Sequence, residues 1–298
     1  RKTKTMIPLA GPANKQGRSV ASNILGLQEE LYEGSIGTSV AKVFDLTIAN
    51  TGENEKSLIA RGLKIKEDYN IALIHPMSHA GYYPGAKPLT LKLIFSMKDG
   101  KVFGAQAVGY DGVEKRIDTI ATSIHFKATV YDLTKIELSY APPYSSAKDP
   151  VNMAGYMATN IIEGLTDVVT YNEYVENKDK YVLLDIREAI ESDNGMIEGA
   201  IIFPLRSLRE EYTKLDKNKK YLIHCAVGIR GYIAERILKQ AGYDASNLLG
   251  GYRTYHEMEF KKDDVQIETH VDQDKLPKEE KKNEIDLDVC GLSCPGPI

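Results

Sequence analysis

The stretch Tyr221–Arg230, YLIHCAVGIR, constrains this chain more than any other. Tyr221 to His224 is an apolar run of strand type, Cys225 ends it, and Gly228 sits inside a short turn. From Gly231 onward the period changes, with Ile233, Ile237 and Leu238 at helical spacing. The pattern predicts strand, tight loop and helix. A loop folded over a helix N-terminus turns several backbone N–H groups inward, and with the helix dipole these form an anion site. A cysteine thiolate is such an anion, and Arg230 is close enough in sequence to add a positive charge. From these residues alone, Cys225 is either a reactive thiolate or a small buried hydrophobe at a strand end.

Upstream lie YVLLDIRE (Tyr181–Glu188) and GMIEGAIIFPL (Gly195–Leu205); downstream lies NLLGGYRTY (Asn247–Tyr255). In that order, around a Cys-x4-Arg loop, they resemble a rhodanese (sulfurtransferase) domain. The resemblance implies that Cys225 becomes a persulfide and that the N–H groups of Ala226, Val227, Gly228 and Ile229 hold its outer sulfur. It also implies that Arg230 helps to bind an anionic donor. One departure is Met196, where the family often has His; that position is usually structural, so the expected activity stands. Cysteine phosphatases of the dual-specificity type resemble this architecture but use Cys-x5-Arg. The shorter loop here leaves less room for a tetrahedral phosphate than for one sulfur atom. Asp185 and Arg187 read as a structural ion pair at the sheet edge rather than as a catalytic acid and base.

A length of 298 residues allows two ordinary domains plus extensions. The net charge of −4 gives no nucleic-acid footprint. No apolar run approaches the roughly 18 residues that a membrane span needs. The three cysteines, Cys225, Cys290 and Cys294, fit a reducing cytoplasm and exclude a disulfide framework. The chain opens on RKTKTMIPLAGPANKQGR, which lacks the apolar core of a secretory signal, and stops in CGLSCPGPI. We expect it to be a piece of a longer polypeptide.

Near the start, a Pro- and Gly-punctuated turn precedes a helix carrying Val20, Ile24 and Leu27 on one face, with nothing to pack on. Val40–Asn50 alternates like a strand, and Glu53–Gly62 suits a helix ending at glycine. Leu89–Met97 and Val102–Gly109 read as strands joined through Asp99-Gly100, a hairpin signal, and Val113–Phe126 reads as a helix. These elements predict an α+β domain with an antiparallel sheet and helices.

The phrases IPLAGPANKQGR, GTSVAKVFDL, SHAGYYPGA, KRIDTIA and YAPPYSSAKDPVNMAGYMATN in this region resemble the C-terminal part of coenzyme A disulfide reductases. These belong to the flavin-dependent pyridine nucleotide-disulfide oxidoreductase class, in which this part is the dimerisation domain. The resemblance implies a homodimer through the first domain, FAD as cofactor, and CoA and NAD(P)H as substrates of the longer protein. It places Leu9, Ala10 and Pro12 where the chain passes the flavin. It places Tyr82 and Tyr140 at positions that reach the opposite subunit's active site, where a phenol can hydrogen-bond a departing CoA thiolate. The chain has no G-x-G-x-x-G after a strand and no cysteine before Cys225, so the expectation is that FAD is bound mostly elsewhere and that this piece alone holds no cofactor. His75 and His79 form an H-x3-H interrupted by Pro76, which argues against a metal site.

Further on, Tyr174–Asn177 ends a short helix, Tyr181–Ile186 and Ala200–Phe203 read as buried strands, and Leu205, Leu208 and Tyr212 recur at helical spacing. The alternation predicts an α/β domain with a mainly parallel sheet and Cys225 at the carboxyl end of a strand. Residues 261–284 hold six lysines and eight acidic residues with only four aliphatic ones, which cannot bury a core and read as a solvated linker. LDVCGLSCPGPI resembles the opening of a TusA-like sulfur-carrier domain, which implies that Cys294 is a sulfur acceptor; a metal pair of Cys290 and Cys294 is the weaker alternative. The expected division is 1–33, tail of a flavin-binding domain; 34–160, dimerisation domain; 161–260, rhodanese domain; 261–284, linker; 285–298, start of the TusA-like unit. Partners are then donor and acceptor thiols. The competing reading is a dimerisation module with a sulfur-binding platform that does not turn over.

Overall fold

The structure, a computed structural model, describes residues 6–27 and 32–260. The expected linker and TusA-like unit, with Cys290 and Cys294, lie outside the described residues. Helix α1 (Ala10–Ile24) begins before the Gly and Pro residues that predicted a turn. Gly11 and Pro12 fall in its first turn, where the missing N–H of proline leaves no hydrogen bond unmade. None of its residues is buried, as the unpartnered apolar face led us to expect.

The first sheet is antiparallel. Val40–Asn50, expected as one strand, is a hairpin of β1 (Ser39–Val43) and β2 (Leu46–Gly52). It turns at Phe44-Asp45, with Phe44 in the left-handed region at φ 53°. The alternation runs unbroken through a turn that lacks the usual Gly or Asn, so the pattern conceals it. Helix α2 (Glu55–Ile59) is capped by Asn54, whose side chain accepts the Ser57 N–H. Strand β3 (Tyr69–Ile74), absent from the sequence reading, forms an edge beside β4 (Leu89–Ser96). The predicted hairpin joins β4 to β5 (Val102–Gly109), and the strand order is β1-β2-β5-β4-β3.

Helix α3 (Val113–His125) packs on β2 and β5, and α4 (Val130–Leu133) on α5 (Pro150–Ile162), which covers β3 and β4. Leu89, Leu91 and Leu93 meet Ile117, Ile120, Ala154 and Ala158 in a fully enclosed core. Each buried leucine or isoleucine contributes about 2 kcal/mol.

The second sheet comprises β6 (Val168–Val169), β7 (Val182–Asp185), β8 (Ile201–Ile202), β9 (Lys220–His224) and β10 (Asp244–Leu248), in the order β6-β10-β9-β7-β8. All its pairings are parallel. The connections carry α6 (Tyr171–Glu176), α7 (Ala189–Asp193), α8 (Leu205–Glu211) and α9 (Ile229–Gln240), and α10 (Gly251–Glu259) follows β10. The expected buried strand at Ala200–Phe203 is corrected: only Ile201 and Ile202 pair, on the sheet edge, and both are exposed. An apolar run identifies a strand without saying whether a neighbour covers it. β9 is the middle strand, so Cys225 follows directly from the best-supported segment of the sheet.

Both sheets belong to one compact unit reaching Glu259. His75, just past β3, lies with Nδ1 2.9 Å from Thr90 Oγ1 and Nε2 2.8 Å from Thr254 Oγ1 on α10. Lys66 donates to Glu173 Oε1 across the same junction at 2.7 Å. No described helix is long and apolar enough to cross a membrane.

Candidate functional site

β9 delivers Cys225 to the carboxyl edge of the sheet, and Gly228, at φ 108°, is the N-cap that lets the chain turn into α9. Only glycine occupies that backbone region without strain. The Gly228 N–H donates to Cys225 Sγ at 3.1 Å, so the sulfur faces into the loop. Cys225 itself is fully enclosed, whereas Ala226, Val227 and Gly228 are half-buried and Ile229 is exposed. Cys225 also packs in the apolar core of the second sheet, and the residues that follow it, not the cysteine, border the adjoining cavity. Behind the loop, the first backbone N–H groups of α10 hold it in place, Tyr252 N–H donating to Cys225 O at 2.7 Å and Arg253 N–H to Ala226 O at 3.0 Å.

Arg230 is placed in the first turn of α9, next to the loop as expected, but it is not a free cation. Its Nη1 and Nη2 each donate to a Glu191 carboxylate oxygen at 2.7 Å. These bonds raise the Arg230 pKa, and the Cys225 sulfur beside it adds to the shift. The Arg230 hydrogen bonds likewise hold Glu191 below the usual carboxylate range. Sequence reasoning missed Glu191. Its only local signal is its place in the reciprocal cap with Glu188 that opens α7.

Asp185 and Arg187 form the expected structural pair. Arg187 Nη2 donates to Asp185 Oδ2 at 2.7 Å, and Ser192 Oγ donates to the same oxygen at 2.9 Å. The Arg187 guanidinium also stacks 4.3 Å from the Tyr252 ring centre and donates to Gly195 O at 2.8 Å. Burial works most strongly against the Asp185 charge, but the Arg187 hydrogen bonds, His224 and the Ser192 hydrogen bond together outweigh it and lower its pKa. Met196, the departure from the family pattern, is partly exposed nearby.

Tyr82 and Tyr140, far apart in sequence, are brought together with their phenol oxygens 3.0 Å apart on the surface. The Tyr82 hydrogen bond raises the Tyr140 pKa. Their loops are tied down by Arg116, which is 1% exposed. It donates to Ser78 O at 2.9 Å and Ser145 Oγ at 3.2 Å, and lies 3.2 Å from Asp149 Oδ2. His75 and His79 do not converge, and no group of metal-ligating side chains occurs among the described residues.

Leu9, Ala10 and Pro12 stand at the start of α1. Leu9 provides no side-chain cap, so the first amides of the helix are left without one. Pro12 and Gly11 border a cavity of about 700 Å³ with Lys15, Thr38 and His125. Uncapped amides beside a partly polar cavity fit an electron-rich cofactor edge. A second cavity, of about 370 Å³, lies between α5 and the Cys225 loop, bordered by Met153, Met157, Val227, Ile233 and Asn247.

One buried histidine, His224, and one half-buried, His75, set an acid limit on this region. Burial lowers both His224 and His75 from 6.5 to about 4, so each stays neutral in the fold while it titrates normally when unfolded. Their contribution is complete above pH 6.5 and is lost as pH falls towards 4. In that window the unfolded chain binds up to two more protons, a slope of about 2.7 kcal/mol per pH unit. Urea unfolding followed by circular dichroism between pH 7 and pH 5 should show this loss. His75→Gln, which keeps partners for both threonines, should remove about half of it; an unchanged slope would contradict the assignment.

Residues 38–150 match the pyridine nucleotide-disulphide oxidoreductase dimerisation domain, and residues 168–258 match the rhodanese-like domain. A coenzyme A disulfide reductase of Staphylococcus epidermidis is 38% identical over 152 residues, covering 51% of this chain and 33% of that protein. One from Staphylococcus haemolyticus is 35% identical over 159 residues, covering 52% and 34%. Among solved structures, reduced Bacillus anthracis CoADR-RHD is 50% identical with a TM-score of 0.81, over 85% of this chain and 45% of that one. A NAD-dependent persulfide reductase from A. fulgidus is 38% identical with a TM-score of 0.75, over 84% and 44%. The chain spans about a third of the length of these curated relatives and under half of these solved chains. It therefore carries a pyridine nucleotide-disulphide oxidoreductase dimerisation domain followed by a rhodanese-like domain, and over these two domains it is similar to the corresponding part of CoADR-RHD.

Proposed function

We propose that the chain serves a flavin- and NAD(P)H-dependent reductase of CoA disulfide or CoA persulfide, and that its second domain transfers sulfur through Cys225. The observation that carries this reading is the Cys225 sulfur turned into the loop, 3.1 Å from the Gly228 nitrogen, with Arg230 beside it. The Cys225 thiolate attacks the outer sulfur of a donor such as thiosulfate. An S–S bond forms at Cys225, the donor's own S–S bond breaks, and sulfite leaves with the electron pair. The persulfide then passes its outer sulfur to an acceptor thiolate or to cyanide, and the Cys225 thiolate returns. The N–H groups of residues 226–229, of which that of Gly228 donates to Cys225 Sγ, would stabilise the negative outer sulfur as an oxyanion hole stabilises oxygen, and Arg230, oriented by Glu191, receives the anionic donor. Cys294 remains a candidate acceptor on the sequence resemblance alone. Incubation with thiosulfate and cyanide should yield thiocyanate; hydrolysis of an aryl phosphate without thiocyanate would replace this reading with a phosphatase.

Ahead of the dimerisation domain, the start of α1 at Leu9, Ala10 and Pro12 would contribute to an FAD site, and FAD when bound supplies the two-electron step between nicotinamide and disulfide. The dimerisation domain would bring Tyr82 and Tyr140 to the partner subunit's active site, where the phenols donate hydrogen bonds to the leaving CoA thiolate. Tyr140→Phe in the full-length enzyme is expected to lower kcat for CoA disulfide about tenfold or more. Steady-state NAD(P)H oxidation measures this, and an unchanged kcat removes the tyrosine from the reaction.

A further inference from the structure

Asn247, near the end of β10, is only 2% exposed. Its Nδ2 donates to Gly228 O at 3.1 Å, but its Oδ1 has no hydrogen-bond partner among the described residues. A buried acceptor without a partner costs stability, and an apolar side chain would avoid that cost. A second cost meets it from α9. Gly231 lies inside that helix, where alanine would be more favourable. A Cβ at Gly231 would stand 2.2 Å from Asn247 Oδ1, so the amide fits only because the side chain is missing.

Two unfavourable choices thus converge on keeping one amide against one carbonyl. That carbonyl belongs to Gly228, the residue whose own N–H donates to the Cys225 sulfur. Gly228 has the widest backbone freedom in the loop, and its two flanking peptides are fixed from opposite sides, its N–H by Cys225 Sγ and its carbonyl by two donors, the Tyr232 N–H of α9 at 2.9 Å and Asn247 Nδ2 at 3.1 Å. We propose that Asn247 is a positioning residue for sulfur transfer: its amide fixes the Gly228 peptide so that the loop N–H groups face the outer sulfur of the Cys225 persulfide. Gly231 is the space that admits it. Arg230 and Glu191 form a separate pair, so donor capture does not depend on Asn247.

The inference rests on the persulfide reading, and its test separates the two. Asn247→Leu removes both the donor and the orphaned acceptor, whereas Asn247→Asp keeps the shape and removes the donor when ionised. Gly231→Ala displaces the amide from the other side while leaving Asn247 in the chain. The readouts are kcat and KM for thiosulfate in thiocyanate formation, the rate of Cys225 alkylation by iodoacetamide, and the thermal midpoint. Misalignment of the Gly228 N–H, which stays in the chain, predicts a kcat lower by about tenfold in all three variants. KM for thiosulfate should stay within about twofold because Arg230 is untouched. Cys225 alkylation should change several-fold, and Asn247→Leu should be at least as stable as the native chain. A folded Asn247→Leu or Gly231→Ala protein with native kcat and native alkylation rate would overturn the proposal. Altered alkylation in a protein that forms no thiocyanate even with Asn247 present would sustain the positioning role and overturn the sulfur-transfer reading.

Discussion

Cys225→Ser is expected to abolish thiocyanate formation from thiosulfate and cyanide, leaving less than about a thousandth of the native rate, because no S–S bond can form at an oxygen nucleophile. The fold should survive. Serine is close to cysteine in size, and the Gly228 N–H that now donates to Sγ can donate to the hydroxyl, so the new polar atom does not go unpaired. The pair of results matters more than either one. Lost turnover with a native thermal midpoint assigns the chemistry to the sulfur atom, while undiminished turnover removes Cys225 from the mechanism.

Asp185→Ala is expected to be the most damaging single change for stability in the second domain. Asp185 is fully enclosed and Arg187 is 3% exposed, so the substitution leaves a buried guanidinium hydrogen-bonded only to the Glu191 and Gly195 carbonyls, against the Tyr252 ring, with the Glu191 carboxylate already engaged by Arg230. Breaking a buried pair from one side costs about 3–5 kcal/mol. Replacing both partners, as in Asp185→Leu with Arg187→Met, should recover much of that loss, since the desolvation of both charges is then avoided. Urea unfolding of the single and double variants decides the matter. A single variant within about 1 kcal/mol of the native chain would show that water reaches Arg187 and that the pair is not what holds the sheet edge.

The strand, loop and helix around Cys225 were legible because the apolar period changes at one residue. Tyr221–His224 is continuous, whereas Ile233, Ile237 and Leu238 are spaced for a helix face. The Asp99-Gly100 hairpin was legible because its turn residues carry their own backbone preference. The hairpin at Phe44 was not, since a phenylalanine in the left-handed region gives no turn signal. The exposed edge at Ile201 and Ile202 was hidden for a different reason: whether an apolar pair is covered depends on the strand order. At the site, Cys225 and Arg230 are five residues apart and visible as a unit. Glu191, which orients Arg230, and Asn247, which grips Gly228, come from distant strands and helices and become neighbours only through the parallel sheet. Tyr82 and Tyr140 were legible as a pair only through the resemblance, and the phenol contact that joins them is a product of the loops that Arg116 secures.

The most direct test of the central claim is the intact mass of the reduced protein after brief exposure to thiosulfate, followed by peptide mapping. The account predicts a gain equal to one sulfur atom, located on Cys225 and discharged by cyanide with return of the original mass. A protein that gains no sulfur, or gains it on a cysteine other than Cys225 while Cys225 stays unmodified, would contradict it.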